Sequence, residues 1–246
     1  HFGRQCFKTQ TEIKRENVIS NRATKLRRQI NIMIKYKLFI LLTISILLAN
    51  SSDILAQKKK DFEGTITYKI EYLTKSGDVI LDRKQRTLGD TSITYIKKGN
   101  YAQEYPHSRV NKVIYISDKN DYYTIFNRYD TIFVRNYLIP SDPIKSFVKT
   151  DTSIDVLGYN CKGYEVKTSE SSLLFFYTES LYLNPIYFKN HKESGYDHYS
   201  ADTKSIYLKL LISYQNFDVA FTAVKISEEK IDDKIFDVPQ RPLKRK

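Results

Sequence analysis

The chain contains few of the residues that several common kinds of site require. Its 246 residues include no Trp, two Cys, one Met, eight Gly and six Pro. Two Cys exclude a disulfide-rich scaffold and a zinc ribbon built on four thiolates. Eight Gly leave little scope for glycine-rich phosphate loops, and neither a Walker-type motif nor a Gly-x-Ser-x-Gly motif occurs. The sequence therefore offers no signature of a nucleotide-binding loop or a serine hydrolase.

The chain is rich in aromatic residues, with 20 Tyr and 13 Phe. Hydrophobic residues make up 41% of it, which is too apolar a composition for a disordered protein. No long helical period appears after residue 57, and no internal repeat occurs. These features predict a folded protein rich in β-structure.

A short apolar segment near the start is typical of a secretory signal peptide. Lys35 and Lys37 precede an eleven-residue apolar run over 38–48, and small residues up to Ala56 offer a cleavage site. A membrane span needs about 20 apolar residues, and a retained N-terminal anchor is the alternative interpretation. We predict a signal peptide over residues 33–56, with no transmembrane span after its cleavage.

The residues ahead of Met33 are basic and polar. We interpret residues 1–32 as an upstream translated extension, with a transit peptide as the competing interpretation. Both segments are set apart from the folding domain, which we predict to be an exported β domain over residues 57–246.

The net charge of +12 invites a nucleic-acid-binding interpretation. Residues 1–57 carry ten basic and three acidic residues, which leaves 30 basic and 25 acidic residues, a net +5, in residues 58–246. Part of that excess lies in the short terminal runs 58–60 and 241–246, and such termini are usually solvated. No nucleic-acid-binding motif accompanies them, so we predict no nucleic-acid partner.

Alternating residues predict strands. Ile66, Tyr68, Ile70 and Tyr72 share one face of the segment 65–72, which is the period of a half-buried strand. Further segments follow about every ten residues, separated by turn residues, as in an antiparallel meander. The predicted strands are 65–72, 79–87, 91–96, 110–116, 122–126, 131–137, 154–157, 162–168, 173–177, 206–214 and 219–226.

Two features interrupt this pattern. Ser141-Asp142-Pro143 can cap a helix, so we predict a short helical element within residues 138–150. The segments 173–177 and 206–214 are apolar on both faces or nearly so, and such strands need cover from a second layer, a helix or a ligand.

The densest set of metal-capable side chains lies in residues 191–198. His191, Glu193, Asp197 and His198 supply two imidazoles and two carboxylates there. A loop that contains Gly195 could bring them together around a metal ion, although no recognised ligand spacing is matched. A solvated polar loop is the alternative interpretation.

Aromatic residues on the predicted strands have two interpretations. They can form cross-strand pairs in a solid core, or they can line a concavity that holds an acyl chain or another amphipathic molecule. The candidate ligand-lining residues are Tyr72, Tyr115, Tyr123, Phe133, Phe175, Tyr177 and Tyr207.

Five short motifs follow one another along the chain, at residues 55–57, 62–68, 156–162, 176–179 and 235–239. Their order resembles two groups of exported proteins of Gram-negative bacteria: the GLPGLI group, and unknown-function domains allied to outer-membrane lipoprotein-sorting carriers. The run that names the first group is absent, so the carrier-like group is the better match. The resemblance implies an incomplete antiparallel barrel around a short helical element, in the periplasm or associated with the outer membrane. It supplies no catalytic residues.

We therefore expect a mainly β fold with a single antiparallel, partly open barrel-like sheet and a short helical element. The expected function is that of a non-enzymatic envelope protein without a cofactor, which binds a lipid-like or other hydrophobic ligand in a curved β-sheet. The expected partner is a lipid or a lipidated protein. The alternatives are a metal-dependent hydrolase that uses residues 191–198 and a structural or partner-binding envelope protein.

Overall fold

The computed structural model describes residues 33, 35, 37, 59–80, 87–106 and 108–245. The chain divides into two compact units, His1–Lys58 and Lys59–Lys246. The predicted extension over 1–32 and most of the predicted signal peptide lie outside the described residues. Among the residues described, no helix is long and apolar enough to cross a membrane.

The second unit is built on one sheet. Its strands follow the order β12-β6-β5-β4-β3-β2-β1-β11-β10-β9-β8-β7, so β12 and β7 are the edges of an open sheet. Every neighbouring pair is antiparallel except β12 and β6, which are parallel. The strands are β1 (Gly64–Thr74), β2 (Thr91–Lys97), β3 (Asn100–Glu104), β4 (Val110–Ile116), β5 (Asp121–Phe126), β6 (Ile132–Asn136), β7 (Ile144–Val156), β8 (Tyr159–Thr168), β9 (Ser172–Tyr182), β10 (Ser205–Ser213), β11 (Phe217–Glu228) and β12 (Leu243–Arg245).

Helical structure in this unit is short. One α-helix, α1, spans Tyr196–Thr203, and 3₁₀ turns lie at Pro185–Phe188, Glu193–Gly195 and Asp233–Phe236. The prediction of a mainly β fold with one partly open sheet and a short helical element is confirmed. The helix, however, follows β9 and does not lie where the sequence predicted it.

The segment 138–150 was predicted to contain that helix, and this prediction was wrong. Residues Ile144–Val156 form the edge strand β7, which pairs with β8 and is rich in β-branched residues. The Asp142 carboxylate accepts hydrogen bonds from the backbone N–H groups of Ser169 and Glu170 and from the hydroxyl of Thr168. The capping side chain thus stabilises the β8–β9 turn and not the start of a helix.

The region from β1 to β3 shows which features the local sequence predicts. The buried residues of β1 alternate as the sequence predicted. Lys98 and Gly99 both have positive φ, the two-residue turn that suits a tight hairpin, and the chain returns as β3, which the sequence analysis missed. In the predicted strand 79–87, Val79 forms a single bridge with Leu73, and residues 81–86 lie outside the described residues.

The two faces of the sheet pack against different partners. We call the face that carries Tyr68 and Tyr115 the inner face, because the segment 184–203 with α1 packs on it. The opposite or outer face of β3–β6 carries Ile114 and Ile132 and packs on the segment around Phe236. Every functional feature described below lies on the inner face.

Candidate functional site

A cavity of about 230 Å³ opens on the inner face. Its wall comes from seven strands, which in the order of the sheet are β5, β3, β2, β1, β11, β10 and β9. Because β5 and β9 are far apart in that order and still face one cavity, the sheet curls around it. Aromatic rings and aliphatic side chains dominate the wall. The lining residues are Tyr68, Thr94, Ile96, Tyr101, Gln103, Tyr122, Tyr137, Leu173, Phe175, His191, Glu193, Ser194, Tyr196, Ile206, Tyr207, Leu210, Ile212 and Phe221.

Strand alternation explains most of this wall. Thr94 and Ile96 on β2, and Tyr101 and Gln103 on β3, stand two residues apart and therefore point to the same face of the sheet. Gln103 is already engaged, since its amide nitrogen donates to Ser92 Oγ at 2.9 Å. The alternation places a row of aromatic and polar side chains along the cavity.

Tyr207 reaches the cavity for a different reason. Ile206 and Tyr207 are consecutive and yet both line the wall, which a regular strand does not permit. The pairing of β10 with β9 shifts on both sides of Tyr207. A β-bulge of this kind changes the direction of a side chain, and here it lets the Tyr207 ring face the cavity beside Ile206.

The segment 184–203 covers the cavity wall and is anchored at several points. Phe188 stacks on Tyr115 of β4 with ring centroids 6.1 Å apart. Tyr187 packs against the β2–β3 turn so closely that a Cβ added to Gly99 would lie 2.2 Å from Tyr187 Cβ. The backbone N–H of Lys192 donates to Tyr137 O at 2.7 Å. These contacts hold His191 and α1 over the sheet.

His191 lies at the centre of this cover and is only 5% exposed. Its ring centroid is within 5 Å of those of Tyr115, Tyr137 and Tyr196. Its Nε2 lies 3.1 Å from the Tyr101 hydroxyl, and its Nδ1 has no hydrogen-bond partner among the described residues. Burial among these rings lowers the pKa of His191 to about 4, so the imidazole is neutral at pH 7.

Glu193 is the one acidic residue among the described residues of the cavity wall, and it is fully engaged. One carboxylate oxygen lies 3.0 Å from Arg135 Nη2 and accepts a hydrogen bond from the Ser141 N–H at 2.8 Å. The other accepts from Ser141 Oγ at 2.6 Å. Glu193 therefore ties the loop after β6 to the cover and brings no uncompensated charge to the cavity.

Tyrosine hydroxyls supply most of the remaining polarity. The Tyr68 hydroxyl donates to the backbone oxygen of Tyr207 at 2.8 Å, and the Tyr101 hydroxyl pairs with His191. Burial raises the pKa of Tyr207 to about 12 and that of Tyr196 further still. Each phenol is therefore un-ionised at neutral pH and can both donate and accept a hydrogen bond.

The four candidate metal ligands do not form one group, although His198 Nε2 lies 3.8 Å from Asp197 Oδ2. His191 points into the cluster of rings, and Glu193 binds Arg135. Asp197 is buried beside Lys192, whose Nζ lies 2.5 Å from its Oδ2. His198 stacks on Phe147 with centroids 4.0 Å apart. Within the described residues, no three His, Cys, Asp or Glu side chains form a group that could hold a metal ion.

The candidate ligand-lining residues separate into four groups. Phe175 and Tyr207 line the cavity. Tyr72, Tyr115 and Tyr177 are buried in the surrounding core without bordering it, and Phe133 packs with Phe126 and Tyr129. Tyr123 lies on the outer face.

Two adjacent tyrosines on β5 point to opposite faces of the sheet. Tyr122 lines the cavity, whereas Tyr123, the residue chosen from sequence, points away from it. The sequence analysis also missed Tyr68, although the alternation of β1 marked it. Tyr137 ends the predicted strand 131–137 and alternates with Phe133, yet it was not chosen. Tyr196 could not be found from a strand pattern, because it lies on α1.

Comparisons with known proteins add little to this geometry. No family model matches the chain, and neither does any curated protein. Two solved structures of PNGF-II, in space groups P21 and C2, are similar with TM-scores of 0.45 and 0.44 and identities of 12% and 13%. Each match covers 74% of this chain, which spans about a third of the PNGF-II chain. Similarity at this level carries no argument about function.

Proposed function

We propose that the protein is a non-enzymatic binding protein that holds a small hydrophobic ligand in the inner-face cavity. One observation carries the proposal: the curled sheet encloses about 230 Å³ behind a wall of tyrosine, phenylalanine and aliphatic side chains. Ligand sites are typically concave, mostly apolar and furnished with a few polar groups, as this cavity is. A solid core would have no such space.

The volume limits what the cavity can hold. Pockets for drug-sized molecules measure about 300–1,000 Å³, and an apolar cavity of about 150 Å³ already binds benzene. The observed 230 Å³ therefore suits a ring with a short substituent, or the terminal carbons of a longer chain. A lipid or a lipidated partner would place only the end of its chain inside.

The proposal includes an exported location, which rests on the apolar run at 38–48 and on the resemblance to lipoprotein-sorting carriers. Expression of the full chain in a Gram-negative host tests it by fractionation and intact mass. A periplasmic product that begins at or near Gln57 supports export. An uncleaved product in the cytoplasm contradicts it.

A blocked-cavity variant tests the binding function. Ile212 is half-buried in the cavity wall, and Ile212→Trp fills part of the space. Val224 is 49% exposed on β11, and Val224→Trp is the matched control. Because the chain has no Trp, emission from the single introduced Trp also reports whether each variant is folded.

Isothermal titration with ethylbenzene gives the readout. We expect saturable binding to the wild type and to Val224→Trp, and at least tenfold weaker binding to folded Ile212→Trp. Absence of binding to the wild type, or equal binding to both variants, contradicts the assignment of this cavity as a ligand site.

A further inference from the structure

Two tyrosine hydroxyls border the cavity without a protein partner. Tyr196 on α1 and Tyr207 on β10 both line it, and neither hydroxyl makes a hydrogen bond to any residue in the described ranges 59–80, 87–106 and 108–245. Both residues line the same cavity of about 230 Å³. The other tyrosine hydroxyls on the described wall are engaged: Tyr68 with the backbone oxygen of Tyr207, Tyr101 with His191, and Tyr122 with Tyr137.

A third polar group on the same wall is also unpartnered. Thr94 lines the cavity and is 8% exposed, and its Oγ1 has no hydrogen-bond partner among the described residues. Buried polar groups in folded proteins are almost always hydrogen-bonded, since leaving one unpaired is costly. Free hydroxyls on an otherwise apolar wall therefore mark a place where a ligand supplies the missing partner.

The electrostatics of the wall select against charge in the ligand. Glu193 is balanced by Arg135, and His191 is neutral. Among the described residues, no Lys or Arg lines the cavity to receive an anion, and the one carboxylate that lines it is already paired. Transfer of a charged group from water into such a site is expensive unless the site provides an opposite charge.

Resting on the proposed function, we propose that the ligand is an uncharged single-ring molecule with one acceptor oxygen, of the aryl ketone or phenol class. The ring lies among the aromatic side chains, and the oxygen accepts hydrogen bonds from the hydroxyls of Tyr196 and Tyr207. This class fits the 230 Å³ volume, which exceeds the roughly 150 Å³ that holds benzene by enough for a short polar substituent.

Matched probes separate this inference from the proposed function. Acetophenone carries the ring and an acceptor oxygen, ethylbenzene has nearly the same shape without the oxygen, and benzoate and benzylammonium add a negative or a positive charge. Isothermal titration of the full chain with each probe at pH 7 measures the ranking. We expect acetophenone to bind about tenfold more tightly than ethylbenzene, because it gains a hydrogen bond to a buried donor. Both charged probes should bind at least tenfold more weakly than acetophenone.

Two variants locate the oxygen. Tyr196→Phe and Tyr207→Phe each remove one hydroxyl and keep the ring, and each should weaken acetophenone binding about three- to tenfold while ethylbenzene binding stays unchanged. Tyr214→Phe is the control, because Tyr214 is 39% exposed, stacks on Phe217 and lies outside the cavity.

The outcomes are distinguishable. If ethylbenzene and acetophenone bind equally, or if both tyrosine variants leave the acetophenone preference unchanged, the inference is overturned and the binding function stands. If benzoate or benzylammonium binds most tightly, the uncharged class is wrong. If none of the probes binds, the proposed function itself fails.

Discussion

The two faces of the sheet are packed in opposite ways. The outer-face cluster is mainly aliphatic, with Ile114, Ile125, Ile132 and Val134 against Ile231 and Phe236, and its central residues are fully buried. The inner face is dominated by tyrosine rings and retains a cavity of about 230 Å³. Small branched side chains interdigitate without gaps, whereas large rigid rings on a curled sheet leave space between them.

This contrast indicates that the outer face mainly supplies stability, whereas the inner face supplies the candidate ligand site. The outer face contributes burial, and none of the outer-face residues named above lines the inner-face cavity. The inner face is less completely packed, and some of its hydroxyls face the cavity. Variants that act on one face and not on the other test the distinction, and the three below run from the largest expected effect to the smallest.

Truncation of a buried isoleucine should cost more on the outer face than on the cavity wall. Ile114 is fully buried, and Ile114→Ala should lower the free energy of unfolding by about 4 kcal/mol, which includes the penalty for a new cavity. Ile96 borders a cavity that already exists, so Ile96→Ala should cost about 2 kcal/mol, close to the transfer free energy alone. Urea unfolding measures both, and equal losses would contradict a filled outer face beside an open inner one.

Acid should weaken the inner face through His191. Burial depresses its pKa to about 4 from an ordinary value near 6.5, so the unfolded chain binds the proton more readily. Stability that is present above pH 6.5 is therefore lost as the pH falls toward 4, by about 3 kcal/mol in all. Unfolding measured between pH 7 and 4 should show this slope.

Most of the slope should be lost in His191→Gln and persist in His198→Gln, which alters a 42% exposed imidazole outside the cavity. A wild-type slope that survives in His191→Gln would place the acid sensitivity elsewhere. Asp121, whose pKa Arg245 and Asn136 hold below its ordinary value against the opposing effect of burial, contributes chiefly at the acid end of this range.

Loosening the loop after β6 should have the smallest effect. Glu193→Gln removes the ion pair with Arg135 and weakens the bonds from Ser141, all of them partly exposed to solvent. The expected loss is about 1 kcal/mol or less. Hydrogen exchange at the Ser141 amide should accelerate while exchange at Ile114 stays unchanged, and equal acceleration at both amides would show that the loop is not a separate unit.

The sequence predicted those elements whose signal is local. The alternation in β1 is visible in the residues themselves, and the strand comes out as expected. The prediction of a helix within 138–150 was wrong. A capping side chain can accept hydrogen bonds from the backbone of a turn as well as from the start of a helix, and Asp142 binds the β8–β9 turn. An aromatic-lined concavity was one of the two interpretations of the aromatic residues, beside a solid core, and only Phe175 and Tyr207 of the candidate residues line the cavity.

The sequence by itself determined that the chain forms a β-rich, tyrosine-rich domain, because alternation and composition are properties of neighbouring residues. Only the tertiary structure decided which tyrosines face the cavity. Strand parity separates Tyr122 from Tyr123, a bulge turns Tyr207 inward, and the cover brings in Tyr196 and His191 from a distant segment. Those choices depend on register and on long-range packing, and a shift of one residue in register reverses the face that a side chain occupies.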